Sequence, residues 1–305
     1  MDAPAWLWIP LTIWAGFAQT LRNAAQRHLI VELGTLGATL VRFVYGLPFA
    51  LLWFGLVAIV EDAGLPAVNP EFLFWVIEGG VTQIVATALL LRVMHTRNFA
   101  LGVAYTKTEL MQVAIIAVIF LDDPLSLPTV MAITVATFGV LMLSPVDRER
   151  PLRGFFTGWT TASAALGFAS GGCFALAAVG YRGAALTLDS EPFLVAAGYT
   201  LVWAQAVQVL MLGGWLLVRS ARVLIALIEA WRPSVFAGFM GTAASAGWFT
   251  AMAIEPVAHV RTLGLVELLF SLAVSRRLFQ ERLLPPELAG VGFLLAGLAL
   301  ITLAA

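Results

Sequence analysis

The chain has 305 residues, of which 61% are hydrophobic and 11% are charged, and its formal net charge is −1. A soluble domain carries about 25% charged residues, so this chain lacks the polar surface that contact with water on all sides requires. The sequence has no cluster of Lys and Arg of the kind that binds nucleic acid. Its single cysteine, Cys173, excludes an internal disulfide or a cysteine-built metal site.

Apolar stretches follow one another along the chain, separated by charges, Pro and Gly. Each is about 20 residues long, which is enough to cross about 30 Å of hydrocarbon. No Arg/Lys-rich segment precedes the first stretch, and this favours a retained first helix over a cleaved signal peptide. We predict an all-α integral membrane protein with ten transmembrane helices, near residues 5–24, 35–58, 71–93, 98–120, 127–145, 155–180, 192–217, 234–253, 257–278 and 287–304.

The first span carries a polar stripe at helical spacing, with Arg22 beside it. A polar stripe that faces lipid is unfavourable, so this one faces protein or water. It either contacts a substrate or forms hydrogen bonds between helices. The stripe consists of Thr12, Gly16, Gln19, Asn23 and Gln26, and we expect Gln26 near the surface. For Arg42, in the second span, a structural salt bridge or snorkelling is the favoured role.

The fourth span has the densest polar set of the chain. At 100° per residue, Tyr105, Glu109 and Gln112 share one face with Thr108, while Lys107 points away from Glu109. Glu109 either lines a cavity, where it could bind a cation or take up a proton, or pairs with another helix. For Lys107 the interhelical pair is favoured. Further candidates are Glu78, Thr82 and Gln83 in the third span and Gln205 and Gln208 in the seventh.

The ninth span holds Glu267, Arg261 and His259. Arg261 either draws an anionic group into the cavity or pairs with Glu255, and the ligand role is preferred. A lone His near a helix end, such as His259, is more often structural than titrating.

Two segments separated by 158 residues resemble each other. Residues 120–128 read FLDDPLSLP and residues 278–286 read LFQERLLPP. In the same frame Glu109 meets Glu267 and Gly139 meets Gly297. Such self-similarity indicates duplication, with residues 1–146 as the first five-helix repeat and 153–305 as the second. Because five crossings are an odd number, the second repeat must be inverted.

The distribution of arginine agrees with inversion. The loops 1–2, 3–4, 5–6, 7–8 and 9–10 with their flanks carry thirteen Arg, and the opposite face carries only Arg182. By the positive-inside rule both termini then lie outside the cytoplasm. The thirteen are Arg22, Arg27, Arg92, Arg97, Arg148, Arg150, Arg153, Arg219, Arg222, Arg232, Arg276, Arg277 and Arg282.

Several motifs resemble the EamA-like branch of the drug/metabolite transporter (DMT) superfamily. They are WAGF at 14–17, RF at 42–43, FLDDPL at 120–125 and FQERL at 279–283. The family's turn usually reads Gly-Glu, and here Asp122 and Gln280 replace the Gly. The resemblance implies a permease of the bacterial inner (plasma) membrane whose central cavity is lined mainly by spans 3, 4, 8 and 9. It also implies cytoplasmic termini, against the Arg distribution.

These observations predict a secondary active transporter of a small polar metabolite, such as an amino acid or an organic anion. Proton or counter-substrate coupling, and a monomer or homodimer, are compatible with it. A non-transporting membrane scaffold or partner subunit and a passive channel are the alternatives. We expect no enzyme, metal or cofactor, because no nucleophile–base pair, metal constellation or nucleotide motif is present. The predicted substrate-binding residues are Gln19, Arg22, Asn23, Gln83, Tyr105, Lys107, Glu109, Gln112, Arg261 and Glu267.

Overall fold

A computed structural model describes residues 4, 6–96, 106–107, 109–143, 162–188, 192–279 and 285–304. Every regular element in these ranges is helical, as predicted. In chain order they are α1 (Trp8–Val44), α2 (Leu47–Val60), α3 (Pro70–Thr96), α4 (Glu109–Leu121), α5 (Leu127–Leu143), α6 (Ala162–Leu186), α7 (Phe193–Gln208), a π-helical turn (Val209–Gly213), α8 (Gly214–Arg219), α9 (Ala221–Glu229), α10 (Trp231–Ile254), α11 (Val257–Leu263), α12 (Val266–Phe279) and α13 (Pro285–Ala304).

Helix α1 bends at Gly34 instead of ending near residue 24. Gly34 has φ 66° and ψ 174°, a conformation that is essentially confined to glycine. The two arms fold toward each other, because Gln26 donates from Nε2 to the carbonyl of Ala38 at 2.7 Å. Gln26 is therefore fully buried, and its expected surface position is wrong. The segment after position 22 resembles a loop in sequence, but the side chains of Asn23 and Gln26 are buried inside the helix bundle.

Two other segments differ from the predicted spans. The expected polar gap at 218–232 contains the short helix α9, which meets α10 at 92°. The expected ninth span is broken between α11 and α12, at Gly264 and Leu265. Across this break the backbone N–H groups of Leu265, Glu267 and Leu268 bond to carbonyls three residues back, at 3.1, 3.1 and 2.8 Å, so a tightened turn joins α11 to α12.

The molecule is apolar outside and polar inside. Large exposed side chains include Leu52, Ile59, Phe74, Ile119 and Leu217, whereas several charged and amide side chains are buried. This pattern suits a hydrocarbon environment. By length and hydropathy, the described residues contain four helical segments able to cross a membrane, or five with α9–α10 counted as one bent span, as in a multi-pass membrane protein. The four are Trp8–Val60, Pro70–Val93, Phe193–Arg219 and Val257–Val274.

Three helix pairs dominate the packing: α1 with α10, α3 with α6, and α5 with α13. Close approach in the last pair depends on glycine. A Cβ on Gly139 would lie 2.5 Å from the backbone N of Leu294, and a Cβ on Gly297 would lie 2.5 Å from the Cβ of Ala136. Both contacts are shorter than van der Waals distance, so neither position accommodates a larger residue without a shift of the helices.

We predict that Gly297→Ala lowers the midpoint of thermal unfolding in detergent, at a cost of about 1–3 kcal/mol from overpacking of α13 on α5. Gly292→Ala in the same helix is the matched control, because nothing lies within 4 Å of its added Cβ. The control should be neutral or slightly stabilising, since alanine favours helices. Equal effects of the two substitutions would contradict the packing argument.

Candidate functional site

The first element of the site is the carboxylate of Glu267, placed by the break at the start of α12. Glu267 is 1% exposed. Its Oε2 accepts hydrogen bonds from Lys107 Nζ at 2.6 Å and Gln19 Nε2 at 2.8 Å, and its Oε1 accepts from Asn23 Nδ2 at 3.0 Å. The helix N-terminus favours negative charge at this position. Thus α1, the chain before α4, and α12 meet at one buried carboxylate.

A second ion pair joins α11 to the start of α4. Arg261 of α11 lies 3.1 Å from Glu109 Oε1 at the start of α4. Its guanidinium also lies 5.0 Å from the ring centre of Trp248, a cation–π contact. Trp248 in turn donates from Nε1 to Gln19 Oε1 at 3.0 Å. Arg261 therefore pairs with Glu109 and not with Glu255.

Arg22 is relayed to the same carboxylate through Asn23. Its Nη2 and Nε donate to Asn23 Oδ1 at 2.7 and 3.2 Å, and Asn23 donates to Glu267. Arg22 is 2% exposed. It belongs to the interior of the bundle and not to a loop flank, so it does not count among the arginines of the positive face.

Arg42 forms no ion pair with any described residue, so the favoured salt-bridge role is wrong for this part of the chain. Its Nη1 donates to Thr87 Oγ1 at 3.3 Å and its Nη2 to Ser245 Oγ at 3.5 Å. Both bonds are long, and Arg42 is 7% exposed. Its Cζ lies 5.2 Å from the ring centre of Phe43.

These groups surround a central cavity. The cavity has a volume of about 40 Å³, which is enough for a few water molecules. The charged lining residues are Arg42, Lys107, Glu109, Arg261 and Glu267, and the other polar and aromatic lining residues include Gln19, Asn23, Gln83, Tyr181, Gln205, Gln208, Ser245, Trp248 and Phe249.

Most of the predicted site residues that the structure describes come together here. Gln19, Asn23, Gln83, Lys107, Glu109, Arg261 and Glu267 line the cavity, and Arg22 lies beside it. Gln112 does not line the cavity: it lies between α4 and α6, with Nε2 3.5 Å from the carbonyl of Phe168. Tyr105 lies outside the described residues.

Sequence reasoning missed Arg42, Ser245 and Trp248 as lining residues. The available signal for Arg42 was a charge well inside an apolar span with no acidic residue one helical turn away. Ser245 and Trp248 share one face of α10 at a spacing of three residues, but that face is rich in small side chains, which is typical of helix packing.

A separate polar cluster closes one end of the bundle. Arg182 donates to Asp123 Oδ1 from Nε at 3.1 Å and from Nη2 at 2.9 Å, and from Nη1 to the carbonyls of Glu255 and Met252. Asp123 Oδ2 accepts from the backbone N of Val257 at 3.2 Å. This end latch, Asp123 with Arg182 and the α10–α11 turn, explains the lone arginine on the face opposite the thirteen.

Comparison with known proteins supports the fold alone. A protein of known crystal structure aligns with TM-score 0.64 and 14% sequence identity, over 98% of this chain and 96% of its own. The likeness therefore extends over the whole length of both chains. No family model matches the chain, and no curated protein matches it.

We predict that Glu267→Gln lowers the free energy of unfolding by about 3 kcal/mol, because it leaves Lys107 buried without a carboxylate. Adding Lys107→Met should recover part of that loss. The measurement is a double-mutant cycle on unfolding in detergent. Glu32→Gln, at an exposed position of α1, is the control and should be neutral. Strictly additive effects at positions 107 and 267 would contradict the pairing.

Proposed function

We propose that this protein is a secondary transporter that moves a small polar metabolite across a membrane by alternating access. The observation that carries the proposal is the cavity itself. Charged side chains from both parts of the chain converge on a space inside a bundle whose outer surface is apolar. Ionisable groups inside a membrane are costly and typically mark substrate or ion pathways.

A ten-span arrangement is supported by the helix breaks. Residues 8–60 form an almost continuous helical segment of 53 residues, about 80 Å at 1.5 Å per residue, which is far more than one crossing needs. The bend at Gly34 divides this length into two spans. With α7–α8 and α11–α12 each counted as one broken span, and α9 as a helix at the membrane surface, the elements give ten spans, five on each side of residues 147–152.

The packing supports inverted repeats related by a twofold axis. Under such an axis span 1 exchanges with span 6 and span 3 with span 8, so the pair α1–α10 is the counterpart of α3–α6, and both are extensive. The contact of Gly139 with Leu294 is likewise the counterpart of that between Gly297 and Ala136. Positions 136 and 294, like 139 and 297, are 158 residues apart.

The two ion pairs of the cavity cross between the halves. Lys107 of the first half pairs with Glu267 of the second, and Arg261 of the second pairs with Glu109 of the first. A site at the repeat interface near the midplane is the usual arrangement in transporters built from inverted repeats.

The end latch also joins the halves, because Asp123 belongs to the first and Arg182 to the second. For the cavity to open at this end, the bonds of the latch must break. The structure has the form expected of a state closed on the side of the end latch. By the Arg distribution, with Arg22 removed from the count, that side faces away from the cytoplasm; the habit of the EamA-like family would reverse this. We place the protein in the bacterial inner membrane.

The scaffold alternative fits the cavity less well. A polar core that only assembles helices would pair its charges fully, because an unpaired buried charge is destabilising. Arg42 instead faces the cavity without a carboxylate among the described residues.

Counterflow in proteoliposomes tests the proposal. Liposomes containing the purified protein would be preloaded with an unlabelled amino acid or organic acid and given a labelled trace outside. We expect transient accumulation of the label above its equilibrium level for at least one compound of the panel. Equilibration without accumulation would indicate a channel, and no uptake of any compound would favour a scaffold.

We predict that Asp123→Asn opens the end latch and exposes the cavity. The readout is maleimide labelling of Met252→Cys in a Cys173→Ser background, since Met252 lines the cavity and is buried. Labelling should become several-fold faster than in the parent protein. Asp122→Asn is the matched control, because Asp122 is exposed. Unchanged labelling in Asp123→Asn, or equal acceleration in both variants, would contradict a gating role.

A further inference from the structure

The charges around the cavity do not balance. Lys107 pairs with Glu267, and Arg261 pairs with Glu109. Arg22 reaches Glu267 through Asn23. With Arg42, which also lines the cavity, four cations of the described residues share these two carboxylates, a formal excess of two positive charges.

Arg42 is the cation with neither a direct nor a relayed carboxylate among the described residues. Guanidinium offers five N–H donors, and Arg42 spends two of them on long bonds to the hydroxyls of Thr87 and Ser245. A second cation that lines the same cavity, Arg261, makes the position of Arg42 less favourable still, because like charges repel. Glu78 does not compensate it: that side chain points toward Gly180, and it is not part of the cavity lining.

Other donors and apolar surfaces lie around the same space. Gln208 donates from Nε2 to the hydroxyl oxygen of Tyr181 at 2.8 Å, which leaves the Tyr181 O–H free to donate. The rings of Tyr181 and Phe249 lie 4.5 Å apart between their centres, and Phe43 flanks Arg42. A planar, fork-shaped donor suits a carboxylate, which it can bind through two parallel hydrogen bonds.

We infer that Arg42 anchors the carboxylate of a small organic anion in the central cavity, which must widen beyond its present volume of about 40 Å³ to admit the carbon body. This inference rests on the proposed function and specifies the substrate class of the same site. The aromatic walls favour an anion with a carbon body over a hydrated inorganic ion. The ligand supplies the negative charge that the protein itself lacks at this position.

The test is thermal unfolding of the detergent-purified protein with two acid–amide pairs, succinate with succinamide and benzoate with benzamide, at constant ionic strength. At least one acid should raise the unfolding midpoint of the wild type, because a ligand that binds only the folded state stabilises it, and its amide should not. Arg42→Gln should raise the Kd of that acid about ten- to a hundredfold. Arg42→Lys, which keeps the charge and loses the fork, should give an intermediate value. Arg219→Gln, at an exposed position, is the control.

The change that Arg42→Gln causes in the unfolding midpoint of the ligand-free protein distinguishes a binding residue from a structural one. Arg42 pairs with no carboxylate among the described residues, so removing its charge leaves no buried acid without a partner. Arg42→Gln should therefore leave the thermal unfolding midpoint of the ligand-free protein unchanged or raise it. A loss comparable to that in Glu267→Gln would overturn the inference. So would stabilisation by phosphate and by neither acid, or an acid-dependent shift that persists in Arg42→Gln. If the shift depends on Arg42 but counterflow is absent, the anion site stands and the transport proposal fails.

Discussion

The buried carboxylate of Glu267 is the interaction on which the centre of this molecule depends. Removing a carboxylate from water costs several kcal/mol, and that cost is offset only where the surrounding donors are fixed. Lys107, Gln19 and Asn23 supply them at 2.6 to 3.0 Å. Gln19 and Asn23 come from successive turns of α1, and Lys107 comes from the chain just before α4. Their bonds to one carboxylate therefore fix α1, the start of α4 and the break before α12 relative to one another.

The charged residues around this centre divide into those that hold the helices together and one that does not. The two acids, Glu109 and Glu267, occur at equivalent positions of the 158-residue interval, and each pairs with a cation from the opposite half. The cations themselves are not equivalent in sequence. Among the described residues, Arg42 has neither a counterpart in these pairs nor a carboxylate of its own. The acids that recur at the 158-residue interval thus hold the two halves together through cations that do not recur, and Arg42 is a buried cation that these pairs leave out.

Helix placement followed from the sequence where hydropathy and turn residues agree, as for residues 127–145 and the helix Leu127–Leu143. It failed where polar residues serve the interior. The run after Arg22 resembles a loop because it is charged, yet Gln26 bonds across the bend at Gly34. The same limit applied to Arg42: pairing depends on which helix lies opposite, and a single sequence does not contain that information. For the two ion pairs between the halves, the sequence predicts that the buried charges have partners, but hydropathy does not identify which residues those partners are.

In the transport function that we propose, Arg42, which has no carboxylate partner among the described residues, gives a physical reason for coupling ligand binding to the transport cycle. Passing between inward- and outward-open forms requires a state closed at both ends, in which water is excluded and the effective dielectric constant falls. An unpaired Arg42 is least favourable in that state, because its desolvation is not offset by a nearby negative charge. A bound carboxylate removes most of this penalty. The closed state is then accessible chiefly to the loaded protein, so exchange of one anion for another is faster than return of the empty form, as transport without leakage requires.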